Sequence, residues 1–396
     1  MEGFFVNNPS VVSSAPRCQS CGLKHKCNTP RMAPSGLGKM GVLVVGEAPG
    51  EREDREGIQL IGKSGQLLRR HLNDLGIKLD RDCWKTNAVN CRPPENRTPT
   101  AKEIGACRPF LLKLIKEKNP KVVVLLGTKS VESLLGPLWK KDIGSISRWV
   151  GCLIPCREYN TWIVPNWHPS YLLRQNSEVL ESNFHDNLKR AFSIESHPYK
   201  SNSCKNPYTQ KIKVLKNPDS VLTYMECFLE ANNPIAFDFE TDRLKPDADG
   251  SSIFSCAVSD GECTIAYPWV GDAIAATSKL LRSRVPKIGA NIKFEERWTR
   301  KILGHGVRNW VWDCMVAAHT LNNAPGITSV KFQSFVRFGV GDYSSDISSF
   351  LEAGGKGNTA NKIKQVKLSE LLLYNGMDAL MEYKIAQQQM EEINEQ

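Results

Sequence analysis

Three sets of side chains have the types and spacings that catalysis or metal binding needs. Glu47, Glu51, Glu53, Asp54 and Glu56 crowd into ten residues directly after the apolar run Val42-Leu43-Val44-Val45-Gly46. Like charge at that density costs stability unless solvent, a cation or a reaction uses it, and a solvated acidic loop is the plain alternative. Cys18-x2-Cys21, with Cys27 six residues on, and Cys91-x15-Cys107 are thiolate pairs of the kind that hold metal. Asp238-x-Glu240, Glu295 and Tyr374-x3-Asp378 set carboxylates and a phenol at strand and helix spacing. In an extended segment Asp238 and Glu240 point to one face, where a divalent cation relieves their repulsion. Two exposed acids at a sheet edge are the alternative reading.

The elements that must position these groups follow from periodicity. Val42 to Gly46 reads as a short buried strand, whose carboxyl end is where an open α/β sheet carries its site. A helix from Ser64 to Leu75 places Leu67, Leu68, His71, Leu72 and Leu75 at helical spacing, with Gly76 as its stop. CWKTNAVNC reads as a strand, and Thr100-x2-Glu103 is a capping box opening a helix with Ile104, Cys107, Leu111, Leu114 and Ile115 on one face. A lone Cys on such a face is a small core residue more often than a ligand; paired cysteines at both ends of the domain point instead to an iron–sulfur cluster. Strand 121–126, a short helix 128–135 and strand TWIVP lead to Asn166-Trp167-His168-Pro169-Ser170. Strands alternating with helices imply an α/β domain with a parallel sheet covered on both faces. Three polar clusters, GEAPG, TNAVNC and NWHPS, then converge on one edge.

Gly57-x4-Gly62-Lys63-Ser64 fits the phosphate-binding loop letter for letter. No strand precedes Gly57, however, and strand 121–126 ends in Gly127 where a magnesium-holding Asp is needed, so nucleotide hydrolysis is set aside. Past a linker at 196–211 come a strand IKVLK, a helix from Asp219 to Leu229 and the strand PIAFDFET. Asn291 and Glu295 read as one helical turn apart, as do Tyr374 and Asp378, with Leu371, Leu372, Leu373 and Leu380 holding the second helix on the core.

At 396 residues the chain suits two domains. The net charge of +10 is uneven: residues 1–200 hold 30 Lys+Arg against 19 Asp+Glu, or +11, and residues 201–396 hold 22 against 23, or −1. The first half therefore has the footprint of a phosphate-backbone binder. Thirteen cysteines, an odd number without a secretion signal, argue for reduced thiols or metal ligands. No apolar run reaches the length of a membrane span, so a soluble, intracellular, cytoplasmic protein without a membrane partner is expected.

Taken together, GEAPGEREDREG, TNAVNCRPPENRTPT, the two cysteine spacings and HPSYLLR resemble a family 4 uracil-DNA glycosylase over about the first 190 residues. The resemblance implies a [4Fe–4S] cluster on Cys18, Cys21, Cys91 and Cys107, with Cys27 as a spare. It also implies a pocket for a base turned out of the helix stack. In that pocket Asn87 reads the uracil edge, and Ala48, Pro49, Gly50, Leu60 and Asn96 contact the substrate. Glu47 and Glu53 place or activate water, and His168 donates to the uracil O2 as charge builds on the leaving base. The family has Pro-Phe where this chain has Gln59-Leu60, so the stacking share of base binding, of order 1 kcal/mol, is lost.

FDFET, GANIKFE, VWDCMVAAHTL and YNGMDAL resemble the DEDDy 3′–5′ exonuclease domain of family A DNA polymerases over roughly 212–396. That resemblance implies a ribonuclease H-like (DnaQ-like) α/β fold and two Mg²⁺ or Mn²⁺ ions on Asp238, Glu240 and Asp378, with Tyr374 orienting the attacking water. Glu295 stands where the family has Asp, its carboxylate displaced by about 1.5 Å, one bond length. Asp313 reads as structural. The domains expected are a glycosylase at 1–195, a linker at 196–211 and an exonuclease at 212–396. The substrate is DNA, as uracil-containing strands and 3′ ends. Only residues 379–396 follow Asp378, so a separately encoded DNA polymerase is the expected partner. The alternative is a first half that has kept the fold and serves as a DNA-holding or processivity module.

Overall fold

The computed structural model of the chain describes residues 16–200, 207–352 and 357–395. The N-terminal segment read for targeting signals lies outside them up to residue 15, as does the 201–206 part of the 196–211 linker. Two compact units result: the described residues up to 200 together with Phe335–Gly341, and those from 207 without that segment. Phe335 belongs to the first unit, where its ring packs 5.2 Å from Trp139, a non-local contact that no local pattern announces.

In the first unit β1 (Val42–Gly46), β2 (Cys83–Asn87), β3 (Val122–Leu126), β4 (Ile154–Cys156) and β5 (Thr161–Asn166) form one sheet in the order β2-β1-β3-β5-β4. All pair in parallel except β4, which runs antiparallel beside β5. Every residue of β1 and β3 is buried, as strands covered on both faces require. One cover is made by the helices Lys63–Asp74 and Glu178–Phe192, whose Leu67, Leu68, Leu72, Phe184 and Leu188 join Val42, Val44, Val122 and Val124 in one core. The capping box at Thr100 is present and opens the helix Ala101–Lys118. The acidic run is not a loop: Glu51–Glu56 is a short helix with Glu51, Glu53 and Asp54 in its first turn, where backbone N–H groups favour negative charge. Asp54 is buried and accepts from the backbone N–H of Asn28 and Thr29, at 3.0 and 2.9 Å.

In the second unit β6 (Ile212–Val214), β7 (Ile235–Thr241), β8 (Ile253–Ser259), β9 (Thr264–Pro268), β10 (Lys287–Gly289) and β11 (Trp310–Asp313) are ordered β11-β10-β7-β8-β9-β6. β7, β8 and β9 are antiparallel, while β10 runs parallel to both β7 and β11. Ile235, Phe237 and Phe239 enter a core with Met225 and Trp298, so the pleat turns Asp238 and Glu240 to the opposite face. There the long helix Leu368–Asn394 packs across β7, β8 and β9 and brings Asp378 over them. Asn291 is not within a helix, contrary to expectation. It sits at φ 63°, a left-handed turn residue, and the helix begins at Lys293. No helix among the described residues is long and apolar enough to cross a membrane.

Candidate functional site

The carboxyl ends of β2, β1, β3 and β5 carry Asn87, Glu47, Gly127 and His168 in that spatial order. Strand register keeps these ends level, with Gly46 opposite Asn87 and Leu126 opposite Asn166. Asn87 is buried and its Oδ1 lies directly over Gly46, where any Cβ would stand 2.4 Å from it. Gly127, at φ +85°, likewise leaves room for His168, whose Cβ would be 2.8 Å from an added methyl. The two missing side chains let an amide and an imidazole settle onto the sheet edge.

His168 caps the helix Pro169–Gln175. Its Nδ1 accepts from the Ser170 backbone N–H at 3.2 Å, with Ser170 Oγ at 2.7 Å. An acceptor at Nδ1 puts the ring proton on Nε2, which is left as a donor. Burial, and secondarily Arg174, push the pKa of His168 down to about 4. The ring is therefore neutral at pH 7. Burial raises Glu47 above the ordinary carboxylate range against the pull of Lys129, and Arg174 acts on it too.

Glu53 is partly buried and ties down a turn. Its Oε1 accepts from the backbone N–H groups of Ile61 and Gly62 at 3.2 and 2.8 Å, filling the helix N-terminus that a bound phosphate would use. It thereby fixes the turn holding Leu60, which is buried at φ 56°, an uncommon conformation for a side chain of that size. Gln59, fully buried, adds a bond from its amide to Ala33 O and accepts from Ser35 Oγ at 2.5 Å. Pro49 is buried, Ala48 packs beside the cysteines, and Gly50 caps the acidic helix. Asn96 lies on the loop after β2, its Oδ1 accepting from Arg92 Nε at 2.8 Å.

Cys18, Cys21, Cys91 and Cys107 line one part-open cavity. No three of these sulfurs lie within 4.8 Å of one another. Cys91 Sγ accepts from Arg31 N–H at 3.2 Å and Cys107 Sγ from Asn90 N–H at 3.3 Å, the bonds expected of thiolate ligands. Cys27 packs beside Cys91 but does not line the cavity.

In the second unit, one carboxylate oxygen each from Asp238, Glu240 and Asp378 lie within 4.8 Å of one another. Burial first, and mutual repulsion second, raise the pKa of Asp238 and of Glu240. That is the environment a divalent cation reverses. Glu295 is buried beside this trio without joining it, and its Oε2 has no hydrogen-bond partner. Tyr374 is buried, and burial followed by the Asp378 carboxylate pushes its phenol well above the usual range.

Four residues here were missed. Asn375 donates to Asp238 Oδ2 at 2.6 Å while accepting from Ser255 Oγ at 2.9 Å. Lys331 Nζ and Tyr343 Oη each donate to Asp378 at 2.5 Å. Glu382, one turn beyond Asp378, is buried with Oε2 unpartnered. The four-residue step from Asp378 was a readable signal for Glu382, and adjacency to Tyr374 was one for Asn375. Lys331 and Tyr343 come from segments without a motif.

Residues 36–192 match the family model of the uracil DNA glycosylase superfamily, and residues 216–394 match that of a 3′–5′ exonuclease. A type-4 uracil-DNA glycosylase of Thermotoga maritima is 35% identical over 187 residues, 46% of this chain and 92% of that protein. A DNA polymerase of Bacillus phage SP01 is 23% identical over 324 residues, 73% of this chain but 33% of that protein, a span that neither unit alone supplies. Among solved structures, Escherichia coli RNase D matches at 14% identity and TM-score 0.36, over 46% of this chain and 45% of that one.

Proposed function

We propose that this chain, which belongs to the type-4 uracil-DNA glycosylases through its first half and carries a 3′–5′ exonuclease domain in its second, acts on DNA at two points. It hydrolyses the N-glycosidic bond of uracil, and it removes nucleotides from 3′ ends by phosphodiester hydrolysis. The supporting observation for excision is the grouping of a buried amide, a carboxylate and a neutral Nε2–H donor at the ends of neighbouring strands. Asn87 reads the edge of the flipped base. His168 donates to the uracil O2 as negative charge develops there, an interaction stronger in the transition state than before it. Glu47 places the water. Glu53 acts as a positioning residue, since its carboxylate is committed to the turn that sets Leu60 over the base. Ala48, Pro49 and Gly50 complete the pocket wall, and Asn96 meets the DNA.

Cys18, Cys21, Cys91 and Cys107 would hold a [4Fe–4S] cluster, tying the one-turn helix Cys18–Cys21 to the loop after β2 and to the helix Ala101–Lys118. Asp238, Glu240 and Asp378 would hold Mg²⁺ or Mn²⁺, which supply Lewis acidity toward the phosphate. Around them Asn375 fixes Asp238, Lys331 and Tyr343 fix Asp378, and Tyr374 orients the attacking water. Glu295 adds a carboxylate at the rim of the trio. A match to a phage DNA polymerase that runs through both units of this chain supports service to a DNA polymerase on DNA within a cell.

A uracil-containing oligonucleotide tests both activities in one tube. Alkali-sensitive sites should form in EDTA, and 3′ shortening should appear only with Mg²⁺ or Mn²⁺. Asn87→Ala should abolish the first alone and Asp238→Ala the second alone. DNA that is bound while its uracil stays intact would instead make the first half a holding module, the reading that Leu60 in place of an aromatic ring favours.

A further inference from the structure

We propose that His71, Asp74 and His185 form a second metal site in the first unit, taking Zn²⁺ or a similar borderline divalent ion and stapling the helix Lys63–Asp74 to the helix Glu178–Phe192. A ring nitrogen from each histidine and a carboxylate oxygen of Asp74 lie within 4.8 Å of one another. The two Nδ1 atoms are 3.3 Å apart. Two nitrogens about 2.0–2.1 Å from one tetrahedral zinc ion stand roughly 3.3 Å from each other, so the rings already span one edge of a coordination tetrahedron. His71 and Asp74 are three residues apart on one helix and therefore share a face, while His185 comes from the facing helix.

The other side of the His71 ring is the second, independent observation. His71 is 7% exposed, and its Nε2 is buried without a hydrogen-bond partner. That nitrogen faces Glu181 Oε2 at 3.7 Å, and Glu181 is itself held by Arg70 at 2.9 Å. A metal on Nδ1 fixes the ring proton on Nε2, aimed at this carboxylate, which is the histidine–carboxylate arrangement that orients metal-bound imidazoles. Asp74 is exposed and gives the ion a route in from solvent. Two imidazoles and a carboxylate match the donor preference of Zn²⁺ rather than that of Mg²⁺ or Ca²⁺. The plain alternative is a ring-to-ring hydrogen bond that holds no ion.

The two helices run on in the chain from parts of the excision pocket. One helix follows directly from the turn carrying Leu60 and held by Glu53; the other follows the short helix capped by His168. The test uses the full chain with its cluster loaded and Asp238→Ala, Asp378→Ala introduced to silence the carboxylate trio. Co²⁺ is titrated by visible difference spectroscopy and Zn²⁺ by thermal melting, with iron content followed throughout. One equivalent of Co²⁺ should give the intense bands of a tetrahedral nitrogen-containing site, and Zn²⁺ should raise the melting temperature. His185→Gln should lose both responses, and Asp74→Asn should weaken binding at least tenfold. Both alter positions that are not fully buried, and formation of alkali-sensitive sites reports that each variant has folded. No tetrahedral band in iron-replete protein, or a band that survives His185→Gln, would overturn the site.

Discussion

The direction in which His168 carries its proton decides what it can do for a leaving uracil. Its Nδ1 is occupied by the Ser170 N–H, so Nε2 is a donor, and with a pKa pushed down to about 4 the ring stays neutral through the physiological range. A neutral donor stabilises a developing anion without first having to be charged in a buried site, which would be costly. The folded pKa lies below the ordinary 6.5, so this residue's contribution to stability is complete above 6.5 and is lost as pH falls from there toward 4. Glu47, raised by burial, titrates in the same pocket and must be removed to see His168 alone. In Glu47→Gln, single-turnover excision measured in EDTA should be flat between about pH 5 and 8. A rate that falls as pH rises between about 6 and 7 in that variant would mean that the imidazolium is the working form.

Several of these residues are placed by bonds from backbone to side chain, and Asp313 is the clearest case. Its Oδ1 accepts from Met315 N–H at 2.9 Å, capping the helix Cys314–Leu321, and from Asn291 N–H at 3.0 Å, while Oδ2 accepts from Ile292 N–H at 3.1 Å. One carboxylate thus ties the end of β11 to the turn that launches Glu295. Asp313→Ala should cost about 2 kcal/mol, a lost cap plus released turn amides. It should also slow 3′ shortening through Glu295 while leaving abasic-site formation intact. Thermal melts in EDTA and the two gel readouts check this, and wild-type shortening in the variant would disconnect Asp313 from the metal site. Much of this level could be read from the chain. The alternation of Ile235, Phe237 and Phe239 aims Asp238 and Glu240 together, and Thr100-x2-Glu103 opens its helix. What could not be read were partnerships set by distant segments of the chain. The bonds that Glu53 Oε1 accepts from Ile61 and Gly62 depend on how the turn folds back. Lys331 and Tyr343 meet Asp378 from 47 and 35 residues away.

At the scale of the whole molecule the two activities differ in how they must hold DNA. The two motif sets were visible in order along the chain because each is local, but the grouping of Phe335–Gly341 with the first unit comes from non-local packing, with Phe335 against Trp139, that has no sequence period. Charge is the property that separates the halves: residues 1–200 carry +11 and residues 201–396 carry −1. A protein that neutralises backbone phosphates releases counterions, so its affinity falls steeply and linearly on a log–log salt plot, with a slope set by the number of phosphates contacted. If each pocket holds its own strand, excision should lose far more than 3′ shortening as salt rises. The comparison needs one Mg²⁺ concentration throughout, because Mg²⁺ is itself a counterion. Asp238→Ala reports excision and Asn87→Ala reports shortening, both on the same short single-stranded oligonucleotide below saturation. Between about 50 and 200 mM salt, excision kcat/KM should drop at least several-fold more than shortening. Equal slopes would mean that the basic first half grips the DNA for both reactions, and that the exonuclease depends on its neighbour for substrate rather than capturing 3′ ends itself.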